Sequence, residues 1–186
     1  METLFTNRLE LRQWRESDSK DLYEFAKSDV VGPNAGWTPH KSEQASLDII
    51  KIFIKNNDVY SIVLKSENKV IGSIGIHNRK PDITLASLKQ KEIGYVLNPS
   101  YWGNGLIPEA VNRLIRYGFC ELNLDLIWCG HFNFNNRSKR VIEKCGFIYR
   151  FQKTDKLKLL DNKEYTTLYY SILKEEYNNE VIPFVV

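Results

Sequence analysis

Two segments of this 186-residue chain carry residue types at spacings that could do chemistry. The first is Trp102-Gly103-Asn104-Gly105, set between an apolar run ending at Asn98 and an amphipathic stretch that follows it. Strand, Gly-x-Gly, then helix lets a backbone approach a ligand closely, and the free N–H groups of a helix start favour an anion such as pyrophosphate. Three ligand classes present one. A nucleoside triphosphate loop requires G-x-x-x-x-G-K-[S/T], and neither that spacing nor the lysine is present. A dinucleotide fingerprint requires a small residue at position 108, where Pro108 stands instead; proline suits the first turn of a helix but not close helix–strand packing. The third class is coenzyme A.

The second segment runs from Asn135 to Phe147 and reads as a short helix closed by Gly146. Asn135 is a helix cap, and Ser138 lies in the first turn, where free amides and the dipole stabilise negative charge. Ser138 is either a hydrogen-bond donor to a forming anion or a residue that merely satisfies the helix end. Glu92, on the strand ahead of the glycine loop, is either an acceptor for an ammonium proton or an exposed strand glutamate. Glu109 sits at a helix start, where the dipole alone explains an acid. Cys120, Cys129 and Cys145 form no C-x-x-C pair and read as small buried hydrophobes. His40, His77 and His131 form no H-x-x-x-H pair, so no metal site is expected.

The elements that position these residues follow from periodicity. Leu9 and Leu11 alternate with charged residues as a half-buried strand, and Ser17 and Asp18 are caps for a helix whose apolar face is Leu22, Phe25 and Ala26. Residues 28–40 read as a loop with Trp37 in its middle, and residues 42–55 as a second helix. Runs 59–65 and 70–77 form a hairpin, and 91–98 is a third strand in that part of the chain. A helix to about 122, a strand at 125–131, the short helix and two last strands near 147–154 and 165–173 complete the order. This is a mixed α/β fold with about six to seven strands, mostly antiparallel, and about four helices. It forms one domain over 1–186, with a core at about 8–177 and an apolar tail at 178–186.

Composition excludes other classes. With 26 Lys plus Arg against 23 Asp plus Glu the net charge is only +3, so no nucleic-acid partner is expected. Hydrophobic residues at 42% and charged residues at 26% are ordinary for a globular chain. No apolar run approaches the roughly 20 residues of a membrane helix. The first residues lack the pattern of a secretory signal, so a cytoplasmic location is expected.

Glu92-Ile93-Gly94-Tyr95-Val96-Leu97-Asn98-Pro99, then Trp102-Gly103-Asn104-Gly105, then Pro108-Glu109-Ala110 resembles the acyl-CoA loop of the GCN5-related N-acetyltransferases (GNAT). The Asn135–Phe147 segment resembles N-x-x-S-x-x-V-x-E-K-x-G-F of the subgroup similar to ribosomal-protein-alanine acetyltransferases. Two positions depart from the family pattern: Ser100 stands where Gln or Arg is frequent, and Ile142 where many relatives carry a proton-donating tyrosine.

The resemblance implies a GNAT fold and direct transfer of acetyl from acetyl-CoA to a primary amine. That amine is a protein N-terminus or a small molecule, and the enzyme is a monomer or homodimer without a metal. It implies pyrophosphate held by Trp102, Gly103, Asn104, Gly105, Leu106 and Ile107, and pantetheine by Tyr95, Val96, Leu97 and Asn135. Ser138 takes the thiolate role and also touches the cofactor, Glu92 is the base, and Trp37 and His40 form the acceptor pocket. A non-catalytic acyl-CoA sensor on the same fold, and a nucleotide-binding protein using the Gly-x-Gly helix start, are the rivals.

Overall fold

Alternating apolar residues pair into a sheet of eight strands in the order β1-β2-β3-β4-β5-β6-β8-β7. In a computed structural model, which describes residues 1–179, the strands are β1 (Leu4–Phe5), β2 (Leu9–Gln13), β3 (Val59–Leu64), β4 (Lys69–His77), β5 (Gln90–Leu97), β6 (Leu126–Phe132), β7 (Ile148–Leu157) and β8 (Lys163–Leu173). Every neighbouring pair is antiparallel except β5 with β6, which is parallel. The helices are α1 (Ser19–Ala26), α2 (Val31–Ala35), α3 (Glu43–Asn56), α4 (Leu106–Arg116), α5 (Asn136–Lys144) and α6 (Lys174–Asn179). The class is the expected one, with more pieces than periodicity reveals. β1 is two residues long and α2 is one turn containing Gly32 and Pro33, so neither has room for a repeat. The apolar stretch at 181–186 lies outside the described residues.

The two faces of the sheet are covered by different helices. Ile62, Ile74, Ile93 and Ile127 meet Ala110, Val111 and Leu114 of α4 and Ile142 of α5. Val59, Val63 and Val70 meet Leu22, Phe25 and Ala26 of α1 and Ile50 of α3. Each Val, Leu, Ile or Phe among them, fully buried, contributes about 1.5–3 kcal/mol. Ser42 caps α3 by accepting the Ala45 N–H at 3.1 Å. After Leu64 the four residues 65–68 turn the chain into β4, with Asn68 at φ +48°.

Asp18 does not cap α1. Its carboxylate accepts both Arg12 guanidinium nitrogens, at 2.8 and 2.9 Å, and the Arg15 N–H at 2.8 Å. Residues Glu16–Asp18 form a short 3-10 turn, so the aspartate faces back onto β2 rather than forward along the helix. The Arg12 and Asp18 side chains are only 10% and 8% exposed. Asp18→Ala strands a buried guanidinium, and the expected result is a loss of about 3 kcal/mol, or roughly 10 °C in Tm. A thermal melt of the variant checks it, and an unchanged Tm would show the pair to be dispensable.

Candidate active site

The parallel ladder between β5 and β6 runs from Gln90↔Leu126 to Ile93↔Cys129 and ends there. β5 stays paired with β4 as far as Leu97, and β6 stays paired with β8 as far as Phe132. Both diverging segments are thus held from their outer sides, and the only ladder bonds given up are those between them. The backbone of residues 94–97 faces the gap. An extended ligand chain can add to that edge as a strand would.

The glycine loop closes one end of the gap. Asn98 accepts the Ser100 N–H at 3.1 Å, and Trp102 Nε1–H donates to the Leu97 carbonyl at 3.0 Å. Gly103 and Gly105 have φ of +82° and +71°, a region that costs an L-residue about 1–2 kcal/mol. A β-carbon at Gly103 would meet nothing within 4 Å, so a ligand can approach this backbone closely. Gly105 precedes α4, whose first intrahelical bond is Glu109 N–H to Gly105 carbonyl at 3.3 Å. Amides ahead of that bond are available to an anion, and Pro108 removes only a donor that would have been unused. These features fit a pyrophosphate.

Glu109 belongs to the scaffold. It accepts from Thr6 Oγ1 at 2.5 Å, from Arg8 N–H at 2.9 Å and from Arg8 Nε at 2.7 Å. Burial opposes its ionisation, but these bonds win and hold the carboxyl below its usual range. Arg8 also donates Nη1 to the Asn104 carbonyl at 2.8 Å, so one guanidinium braces both the loop and α4.

On the α4–α5 face, Asn135 accepts the Ser138 N–H at 3.1 Å, as a cap should. Its Nδ2 donates to the Asn34 carbonyl at 3.3 Å, tying α2 to α5. Tyr95 Oη lies 2.9 Å from Ser138 Oγ and 3.2 Å from the Ser138 carbonyl. Burial pushes the Tyr95 phenol well above its ordinary range, although its bond to Ser138 pulls the other way. The phenol therefore stays protonated. When it donates to Ser138 Oγ, the serine's own proton is free for a third group. Tyr95 was expected to act through its backbone, and its hydroxyl was not anticipated. The available signal was alternation, which puts Tyr95 on the face of Ile93. Arg137 stacks 4.4 Å from the Trp102 ring centre and joins α5 to the glycine loop. Ile142 is buried in the core, a packing position here.

Glu92 projects from the opposite face of β5, with Gly94 and Val96, and Val96 packs into the cluster beneath α1 and α3. Burial raises the Glu92 carboxyl above its ordinary range, and Arg79, with Nη1 3.6 Å away, and His77 partly offset that. Ser138 and Glu92 thus flank one strand from its two sides.

Trp37 and His40 form a unit between α2 and α3. The Trp37 ring lies where a β-carbon on Gly32 would stand, 2.7 Å from it, which only glycine allows. His40 Nδ1 is 2.8 Å from Ser46 Oγ on α3, its ring centre is 5.1 Å from Trp37, and burial lowers its pKa. α2 packs beside β5, and Gly36 lies against the Phe132 ring of β6. The structure brings Gly36 of this loop to the end of β6, while the His40 ring is engaged by Ser46 of α3.

Cys129 and Cys145 are buried, and burial raises both thiols, that of Cys145 to about 12. Cys120 departs from expectation: it is exposed, on the outer side of the π-helical turn Tyr117–Glu121 that ends α4.

The profile of the acetyltransferase (GNAT) domain matches residues 8–148. An uncharacterized N-acetyltransferase of Bacillus licheniformis, p20, is 31% identical over 189 residues, covering 95% of this chain and 99% of that protein. The crystal structure of a GNAT-family acetyltransferase from Bacillus anthracis superposes with a TM-score of 0.81 at 25% identity, over 94% of this chain and 100% of that one. Ribosomal-protein-S5-alanine acetyltransferase from Vibrio fischeri shares the fold, with a TM-score of 0.69 at 21% identity over 95% and 99% of the two chains. A strand gap, a glycine loop at a helix start and a whole-chain match to acetyltransferases converge, and the chain belongs to the GNAT family of acyltransferases.

Proposed function

We propose that this enzyme transfers acetyl from acetyl-CoA to a primary amine in a ternary complex, across the gap between β5 and β6. The observation that carries the reading is the placement of Ser138 and Glu92 on opposite faces of β5, which gives thioester and amine separate approaches to one point. The amides of Gly103, Asn104, Gly105, Leu106 and Ile107 hold the pyrophosphate, with Trp102 and Asn135 bounding the arm that follows. The free edge of residues 95–97 aligns the pantetheine, and the Val96 region donates to the carbonyl oxygen as charge develops there. Glu92 takes the proton that makes the amine nucleophilic. Ser138, oriented by Tyr95 at the start of α5, donates to the departing thiolate, which the helix dipole also favours. Trp37 and His40 wall the acceptor side.

The acceptor is a protein N-terminus or a small amine. An N-terminal amine, with a pKa of about 7.7–8.0, asks less of Glu92 than a lysine-type amine of about 10.4. An acetyl-CoA assay across peptide N-termini, amino acids and polyamines tests the reading. Thermal stabilisation by ATP or NAD greater than by CoA would overturn it in favour of a nucleotide-binding protein. Absence of turnover with every amine, despite CoA binding, would favour a sensor.

Ser138→Ala keeps the Asn135 cap, because that bond uses the Ser138 backbone N–H. The expected result is unchanged acetyl-CoA affinity and a kcat lower by about 100-fold, the scale of one lost transition-state donor. Calorimetry and steady-state kinetics on the same preparation separate the two, and unchanged kcat would remove Ser138 from the mechanism.

A further inference from the structure

A cleft of about 350 Å³ opens on the Glu92 face of the sheet, between the end of α3 and the end of β4. Phe53 and Asn56 of α3 line one side, and Asp58, His77 and Arg79 the other. His77 lies directly opposite Glu92 in the antiparallel β4–β5 ladder, which sets their β-carbons about 5 Å apart on one face.

The His77 ring is fixed. Nδ1 lies 2.9 Å from Oδ2 of Asp58, the residue before β3. A carboxylate at Nδ1 keeps the proton of the neutral ring there and leaves a lone pair on Nε2. Two glycines make room for that nitrogen: β-carbons at Gly75 and Gly94 would stand 2.4 and 3.6 Å from it. Gly94 follows Glu92 by two residues on the same face, so Nε2 lies over β5 on the Glu92 side, and His77 is near enough to lower the Glu92 carboxyl's pKa.

Glu92 itself has a poor route to solvent, its side chain being only 13% exposed. The charged groups facing His77 are Asp58 ahead of β3, Arg79 after β4 and Glu92 on β5, and α3 offers the neutral Asn56. Tyr169 of β8 is within electrostatic reach of Glu92 from the far side.

We propose that His77, oriented by Asp58, is the positioning residue through which the acceptor's proton leaves Glu92 for the water of this cleft. The proposal rests on Glu92 as the base. An N–H bond of the ammonium breaks as an O–H bond forms on Glu92. That proton passes to His77 Nε2, with Nδ1 held on Asp58 throughout, and water in the cleft takes it from the ring. Glu92 is again a carboxylate, and no other reactant is consumed.

The test has two arms. In the first, the Glu92 carboxyl is titrated by carbon-13 NMR in the full-length protein and in His77→Gln, with no substrate present. Loss of His77 is expected to move the Glu92 midpoint to higher pH, and an unmoved midpoint overturns the proposal. In the second, acetyl-CoA turnover is measured with spermidine and with an alanine-ended peptide. His77→Ala is expected to lower kcat about 10-fold, with free imidazole restoring it and acetyl-CoA affinity unchanged. Loss without rescue overturns the relay. If the unmodified enzyme acetylates neither amine, what fails is the reading of the acceptor, and the titration still decides whether His77 is coupled to Glu92.

Discussion

Gly105→Trp is expected to abolish measurable acetyl-CoA binding, with at least a 100-fold loss of affinity, equivalent to about 2.7 kcal/mol. Gly105 has φ +71° at the N-terminal boundary of α4. Any L-residue there carries about 1–2 kcal/mol of strain, which the loop relieves by shifting its backbone. A β-carbon at Gly105 would lie 3.7 Å from Arg8 Nη2. An indole on that carbon pushes the guanidinium from the Asn104 carbonyl and from Glu109, the contacts that brace the loop against α4. Both effects move amides that must converge on one pyrophosphate. Gly105→Ala carries the strain without the bulk and is expected to lose about 10-fold. Calorimetry with acetyl-CoA, beside circular dichroism to confirm the fold, decides the matter. Native affinity in the tryptophan variant would place the anion elsewhere.

Glu92→Gln is expected to lower kcat/KM by about 1000-fold, the range of a lost general base, while leaving acetyl-CoA affinity intact. In the unmodified enzyme, activity is expected to rise with pH as the carboxyl ionises. Burial sets that limb above the ordinary carboxylate range. The limb disappears in the variant.

The same residue links activity to stability. Its folded pKa lies above the unfolded one, so the native state holds the proton more tightly. Whatever stability this gives is present in acid and is lost as pH rises through the folded value. At neutral pH the ionised carboxylate is a burden that glutamine does not carry. Tm is therefore expected to rise in the variant at about pH 7.5 and not at about pH 4. A pH–rate profile and melts at the two pH values check both. Retained activity with its acid limb would assign the base to another group.

How far each feature was legible depended on the span over which it is determined. The Gly103–Gly105 loop and the Asn135 cap with Ser138 above it are settled by residues a few positions apart, and each formed as read. Asp18 has the residue type of a cap, yet it turns back to Arg12, because a buried guanidinium outbids helix amides that water can also serve. His77 was weighed only as a metal ligand, since its partner Asp58 is 19 positions earlier and Glu92 meets it only through strand register. Tyr95 and Ser138 are 43 positions apart, so their hydroxyl pair exists only once α5 lies over β5.

The order of the longer elements, the glycine loop and the two helix starts are properties of the chain itself, because backbone conformation, capping and amphipathic period are local. The gap between β5 and β6 is not. The ladder ends at Ile93↔Cys129 while β5 continues along β4 and β6 along β8, a divergence that involves four strands and is not local to either one. Alternation along β5 and the packing of α5 on its other face set Glu92 and Ser138 on opposite sides of that strand. Composition, motif and spacing named the chemical groups; packing of distant segments put Glu92 and Ser138 on the two faces of one strand.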